Sequence, residues 1–122
     1  MFRKFIALNI LLISFTFADC DDARTQREMN ECAEEMYLSY KSKLELSLEK
    51  IGSEIFIEAK KYLFLQSQEP WASYVESHCR VISTETGTMG GMLYYGCMKQ
   101  KYEDRILEVS KYTCHPMLES CN

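Results

Sequence analysis

The chain has 122 residues, 14 basic and 18 acidic side chains, and a formal net charge of −4. A chain of this length holds one small domain and leaves no room for a separate cofactor domain. Its acidity disfavours nucleic acid as a partner, because such binding depends on clustered Lys and Arg that neutralise phosphates. Six cysteines in so short a chain favour a disulfide-bonded protein of an oxidising compartment.

Residues 1–18 have the pattern of a secretory signal peptide. Arg3 and Lys4 precede an apolar stretch over residues 5–17, and the small residue Ala18 ends the segment. The apolar stretch is shorter than the ~20 residues that a membrane helix needs. We therefore expect cleavage after Ala18, a secreted or periplasmic protein, and no stable membrane insertion after cleavage. An uncleaved N-terminal anchor is the alternative.

Cleavage would leave a mature chain of 104 residues, in which 12 bases face 18 acids for a net charge of −6. This mature chain opens with the pattern of a long amphipathic helix. Thr25 with Glu28 three residues later matches a capping box. Apolar residues then recur every three or four positions as far as Ile51. The pair Gly52-Ser53 predicts the end of this first helix.

Two further helices follow in the sequence pattern. A second periodic stretch runs over residues 54–82 through Ala59, Tyr62 and Leu63, and Pro70 predicts a kink or a break in it. Residues 83–91 are rich in Gly, Ser and Thr and predict a loop, called here the glycine loop. A third helix is expected over residues 92–109, and residues 110–122 form a cysteine-containing C-terminal tail. Strand-like alternation is weak, so the predicted fold is all-α, a small bundle of about three helices.

The six cysteines allow many pairings, and the sequence does not choose among them. Short loops favour neighbours along the chain, and one such pair would tie the second helix to the third across the glycine loop. Each bridge would add ~2–4 kcal/mol of stability by restricting the unfolded chain. The expected pairs are Cys20–Cys32, Cys79–Cys97 and Cys114–Cys121.

Three groups of motif residues span residues 19–109. They are Asp19-Cys20 with Thr25-Gln26 and Met29-Asn30-x-Cys32-Ala33, then Gln68-x-x-Trp71-x-x-Tyr74 with Cys79, and finally Gly90-Gly91, Cys97 and Arg105. Together they resemble the LprI-type lysozyme inhibitor family. The resemblance implies a small helical, secreted or periplasmic domain with two disulfides that inhibits lysozyme and is not an enzyme. We expect structural roles for Thr25 as N-cap, Trp71 as a core residue and Arg105 as a motif residue.

Four residues depart from the family pattern, and the last two cysteines lie outside it. Pro70 interrupts a helix, Val75 replaces an often basic residue, Met92 replaces a common Ser, and Tyr102 stands where Thr is frequent. These departures keep a second interpretation open. In that interpretation the protein is an envelope structural or interaction protein of the same fold without inhibitory activity.

Catalysis and metal binding receive little support from the sequence. His78 and His115 each adjoin a cysteine expected in a disulfide, so neither has a thiolate to activate. The glycine loop lacks the Lys-Ser/Thr that follows in a phosphate-binding loop. The thioethers of Met89, Met92 and Met98 could ligate Cu(I), although methionines more often fill gaps in cores. We expect no catalytic residue, no cofactor and no metal, with a copper carrier as a third hypothesis.

Two segments are candidate partner-binding surfaces. Residues 19–35 hold seven acids and two bases, a net of −5, which leaves −1 for the rest of the mature chain. Such a field speeds encounter with a cationic protein such as a basic lysozyme, although acids at a helix start also simply satisfy its dipole. The glycine loop could enter a cleft at low ordering cost, or be an ordinary surface connection. The expected contact residues are Glu28, Glu31, Glu35, Glu85, Met89, Gly90 and Gly91.

Overall fold

The computed structural model of the protein describes residues 20–113, so the expected signal peptide and the pair Cys114–Cys121 lie outside the described residues. All regular structure in that range is helical, which confirms the all-α prediction. Short 3-10 turns occupy Cys20–Asp22 and Gly87–Met89. The α-helices are α1 Gln26–Glu54, α2 Glu58–Gln66, α3 Gln68–Ser83 and α4 Gly90–Val109.

Helix α1 begins at the predicted capping box. The hydroxyl of Thr25 accepts a hydrogen bond from the Glu28 backbone N–H at 3.1 Å, and the Glu28 carboxylate accepts one from the Thr25 N–H at 3.2 Å. The helix continues through Gly52-Ser53, where the sequence predicted its end. A helical glycine costs only about 1 kcal/mol relative to alanine, and burial of Ile51 and Ile55 on either side outweighs that cost.

The predicted second helix is divided into α2 and α3, which meet at Ser67. The Ser67 hydroxyl and the Gln68 side-chain amide both donate to the Phe64 carbonyl, at 2.7 and 2.9 Å, and so satisfy it where α2 ends. Pro70 is the third residue of α3. Backbone N–H groups in a first turn have no acceptor inside the helix, so a proline is tolerated there. The expected break is therefore present, and Pro70 leaves α3 intact.

Helices α1 and α4 lie side by side and run in the same direction, while α3 runs against them. Asn30 of α1 contacts Met92 at the start of α4, and Ile51 shares a groove with Ile106 near the other end. The disulfide between Cys79 and Cys97 joins α3 to α4. The core between the helices comprises Leu44, Ile51, Ile55, Phe64, Val75, Cys79, Met98, Tyr102 and Val109.

Helix α2 contributes less to this core than its periodicity predicted. Of its residues only Phe64 is buried, whereas Ala59, Tyr62 and Leu63 are exposed. Phe56 and Ile57, in the linker before α2, are 90% and 66% exposed. Residues 56–65 are called here the apolar end. Within residues 20–113, no element covers the outer face of α2, so these apolar side chains stay exposed.

None of the helices within residues 20–113 is both long enough and apolar enough to cross a bilayer.

Candidate partner-binding site

Asn30 binds the glycine loop to the first turns of α1. Its side-chain N–H donates to the Thr88 carbonyl at 3.1 Å, and its side-chain oxygen accepts from the Met92 N–H at 3.0 Å. That N–H lies in the first turn of α4, so Asn30 caps α4 from a different helix. Gln26 donates to the same oxygen at 2.9 Å and holds the amide in place. Asn30 belongs to the first group of motif residues, but its contact with the glycine loop could not be predicted from the sequence.

The two glycines at the start of α4 make this contact possible. A Cβ at Gly91 would lie 3.1 Å from the Asn30 amide, and a Cβ at Gly90 would lie 3.2 Å from the Thr86 hydroxyl. Both distances are tighter than ordinary packing, so a side chain at position 91 would crowd Asn30 of α1, and one at position 90 would crowd Thr86 within the loop. The structure therefore gives Gly90 and Gly91 a packing function, and their contact with a partner stays a prediction.

The glycine loop projects two of the predicted contact residues. Glu85 and Met89 are both exposed, and Glu85 has a φ of 64°. A left-handed backbone at a residue other than glycine costs about 1–3 kcal/mol and persists only where its surroundings fix it. The fixing contacts are the Thr84 hydroxyl on the Arg80 carbonyl and the disulfide at the base of the loop. The loop thus has a defined conformation.

The predicted acids lie next to this loop, on the first turns of α1. Glu28 serves the capping box, and hydrogen bonds from the Arg24 and Thr25 N–H groups lower the pKa of its carboxyl below the ordinary value. Glu31 pairs with Arg27 at 2.8 Å on the surface, and Glu35 is exposed. Residues 20–35 carry six acids and two bases, a net of −4. We call residues 20–35 with the glycine loop the acidic end.

Tyrosines extend the surface of α4 beside these acids. The rings of Tyr37 and Tyr95 stack with centroids 5.8 Å apart, and Tyr94 packs edge-on against Tyr95 at 5.2 Å. Burial raises the pKa of Tyr95, and the negative charge of Glu34 raises it further. Burial likewise raises the pKa of Tyr37. Tyrosine phenols with the ordinary pKa of 10.0 are already neutral at physiological pH, and the raised pKa values keep these two neutral to higher pH.

A groove opens beside the acidic end, between the 3-10 turn Cys20–Asp22, α1 and α4. Its volume is ≈ 290 Å³. The disulfide between Cys20 and Cys32 holds the turn against α1, and the Cys20 sulfur lies 3.3 Å from the Met36 sulfur. The groove could not be predicted from the sequence, because its walls come from segments far apart in the chain. They are Cys20, Asp21, Met29, Ala33, Met36, Met92, Gly96 and Lys99.

The helical framework with its two disulfides has a match among known protein families. A family model described as "Lysozyme inhibitor LprI" matches residues 19–109. The chain belongs to the LprI lysozyme inhibitor family. None of the curated proteins or solved structures searched matches the chain. The matched residues of this LprI-family protein contain both disulfides of the structure, Cys20–Cys32 and Cys79–Cys97, and end with the last residue of α4.

A second cluster of LprI motif residues surrounds Arg105, which is only 4% exposed. Its guanidinium donates to the Gln68 side-chain oxygen at 3.3 Å and the Ser67 hydroxyl at 3.2 Å, and it pairs with Glu108 at 3.0 Å. It also lies over the Trp71 ring, at 5.3 Å from the centroid. The cluster joins the start of α3 to the end of α4, and within it Trp71 is half-buried against the core.

Two departures from the LprI pattern lie inside the core. Val75 is completely buried in α3, and buried Tyr102 packs edge-on against Trp71 and Tyr37. Neither side chain is available to a partner. Only Met92 changes a candidate site, because it lines the groove.

The three methionines of the copper hypothesis lie in different environments. Met98 is in the core, Met89 is exposed in the glycine loop, and Met92 lines the groove. Among residues 20–113, no three His, Cys, Asp or Glu side chains converge in an arrangement that could hold a metal ion.

Proposed function

We propose that this LprI-family protein is a non-catalytic inhibitor that binds a lysozyme non-covalently through its acidic end. The match of the LprI family model over residues 19–109 carries the proposal. The Asn30 contacts support it, because they hold the glycine loop beside the acids of α1. A loop held in a defined conformation loses little entropy on binding, which favours affinity.

The charge distribution supports a basic partner. The net charge of −4 over residues 20–35 would attract a cationic lysozyme and accelerate encounter. Most of these acids are exposed, so ionic strength would screen the attraction. Inhibition at low enzyme concentration should therefore weaken as salt is added, mainly through slower association.

We further propose that the protein acts outside the cytoplasm, secreted or in a periplasm, after cleavage behind Ala18. The basic start and apolar stretch of residues 1–18 support this location. The two disulfides support it as well, because structural disulfides persist in oxidising compartments.

A cell-wall clearing assay tests the proposed function. The oxidised chain from Asp19 onward is mixed with lysozymes of several types, and the rate of clearing is followed at increasing molar excess. We expect dose-dependent slowing for at least one basic lysozyme, with activity restored after dilution because the complex is non-covalent. The double variant Glu31→Lys/Glu35→Lys is the matched charge control and should inhibit less. Unchanged clearing at large excess against every type would overturn the proposal.

The apolar end favours a second candidate, an envelope interaction protein that does not inhibit lysozyme. Exposed apolar side chains grouped on one surface mark sites of protein interaction, and Phe56, Ile57 and Leu63 are all more than half exposed. A pull-down from envelope extract with wild type and with Phe56→Ser/Leu63→Ser compares the candidates. Recovery of lysozyme alone, equally with both proteins, would count against this second function.

A further inference from the structure

The packing of residues 20–113 does not explain why position 96 is a glycine. Gly96 lies inside α4, where glycine costs about 1 kcal/mol relative to alanine. Its φ is not in the left-handed region, and a Cβ built on it would meet no atom within 4 Å. Gly91, in contrast, is required by its contact with Asn30. Departures from local preference of this kind are expected at functional or strained sites, and no strain is present at Gly96.

The space that Gly96 leaves is part of the groove at the acidic end. Ala33, the other small residue of the lining, faces the same space from α1. Three methionines, Met29, Met36 and Met92, supply most of the remaining surface. Thioether side chains are flexible and polarizable, and they adapt to apolar and aromatic groups of different shape.

The size of the groove limits what it can hold. Sites for small organic ligands commonly enclose about 300–1,000 Å³ and bury most of the ligand. This groove has ≈ 290 Å³ and is open along one side. The volume is at the lower end of that range, and the groove has room for one large side chain. Interfaces use such pockets for the buried aromatic or aliphatic residue that contributes most of the binding energy.

The charges around the groove indicate which surface would bring that side chain. Asp21 is part of the lining and Asp22 follows it, both exposed. The one cation of the lining, Lys99, pairs with Glu103 at 2.9 Å and lies over the Tyr40 ring. The surroundings thus favour a basic partner surface.

We propose that the methionine groove receives a large apolar or aromatic side chain from the basic surface of the inhibited lysozyme. This inference rests on the proposed function and names the contact through which it operates. The acidic residues attract the enzyme, and the groove holds it by burying one side chain.

Substitutions of Gly96 test the inference, since this residue lines the groove and a Cβ atom there would meet no atom within 4 Å. Gly96→Ala should raise the melting temperature through higher helix propensity, and because its methyl group takes only a small part of the groove it should raise the inhibition constant far less than a large side chain does. Gly96→Trp should fill the groove and raise the inhibition constant about tenfold or more. Leu107→Trp places the same ring on exposed α4 surface away from the groove and should leave inhibition unchanged.

The possible outcomes separate the two proposals. If wild type inhibits no lysozyme, the proposed function is wrong and the groove loses its partner. If wild type and Gly96→Trp inhibit equally, the groove proposal is wrong and the proposed function stands. Should Gly96→Trp fail to fold, Met29→Gln/Met36→Gln keeps side-chain length and must weaken inhibition to a similar degree. Self-association of wild type that Gly96→Trp abolishes would make a second copy the occupant and overturn the inference.

Discussion

The two ends of the bundle are held together by different chemistry. At the acidic end, Asn30 and the Cys79–Cys97 disulfide fix an irregular loop beside exposed acids. At the apolar end, Arg105 ties helix ends together while Phe56 and its neighbours remain exposed. The first arrangement fixes a surface in advance of binding, and the second mainly stabilises the fold. Polar contacts hold both ends, but at the acidic end they fix an exposed loop, and fixing a loop before binding lowers its ordering cost.

The largest expected effect comes from the disulfides, which belong to the acidic half of the molecule. Removing the core bridge with Cys79→Ala/Cys97→Ala should cost about 3 kcal/mol, because the unfolded chain regains freedom and buried packing is lost. The double variant Cys20→Ala/Cys32→Ala should cost less, since the turn that it releases contains no buried residue. Thermal denaturation of both variants measures the difference. Equal losses of stability in the two variants, or no loss when both disulfides are reduced, would contradict the different contributions assigned to the two bridges.

Arg105→Ala should produce the next largest loss of stability. Its local effect on hydrogen exchange should be limited to the apolar end and the neighbouring residues of α2. The variant removes the hydrogen bonds from the buried guanidinium to Ser67 and Gln68, and because these two groups are half-buried and can turn to water we expect a net loss of about 2 kcal/mol. We expect a lower melting temperature and faster hydrogen exchange in α2. Inhibition per folded molecule should not change. Arg105→Lys is the control, because it keeps the charge and loses the planar fork. Faster exchange in the glycine loop instead would show that the ends are not independent.

Asn30→Ala should have the opposite effects to Arg105→Ala. We expect a small loss of stability and a large loss of inhibition. Two hydrogen bonds to the loop disappear, which should cost about 1–2 kcal/mol. Amide exchange over residues 84–92 should accelerate, and the inhibition constant should rise about tenfold as the loop loses its fixed position. Asn30→Asp still accepts from the Met92 N–H and cannot donate to the Thr88 carbonyl. Its inhibition constant should therefore lie between those of wild type and Asn30→Ala. Inhibition unaffected by either variant would remove Asn30 from the account.

The smallest expected effect is the pH dependence that Glu28 contributes at the acidic end. Its pKa lies below the ordinary value of 4.5 in the folded chain. Its stabilising contribution is therefore complete above pH 4.5 and is lost as pH falls through the lowered folded pKa. Glu28→Gln keeps the capping geometry and cannot titrate. Wild type should lose more melting temperature than this variant between about pH 6 and about pH 3. Identical pH profiles would show that the capping carboxylate is unimportant.

The sequence predicted features that depend on short chain separations. The Thr25 capping box, the Cys20–Cys32 pair and the apolar stripe of α4 all follow from residues within a few turns of each other. The contact between Asn30 and Thr88 joins residues 58 positions apart. This contact exists because α1 and α4 run parallel. Apolar periodicity does not indicate the relative direction of two helices, so the contact could not be predicted from the sequence.

The groove and the apolar end were missed for the same reason. The groove needs the Met29 side of α1 and Gly96 of α4 to meet, and α2 is exposed because nothing within residues 20–113 crosses its outer face. Periodicity predicts which face of a helix is apolar but not whether another element covers it.

Hydrogen exchange of the protein with and without an inhibited lysozyme compares the two ends most directly. Binding at the acidic end should slow exchange over residues 20–35 and 84–96 and leave residues 56–66 unchanged. Protection confined to residues 56–66, with none at the glycine loop, would contradict the assignment of the acidic end as the inhibitory surface.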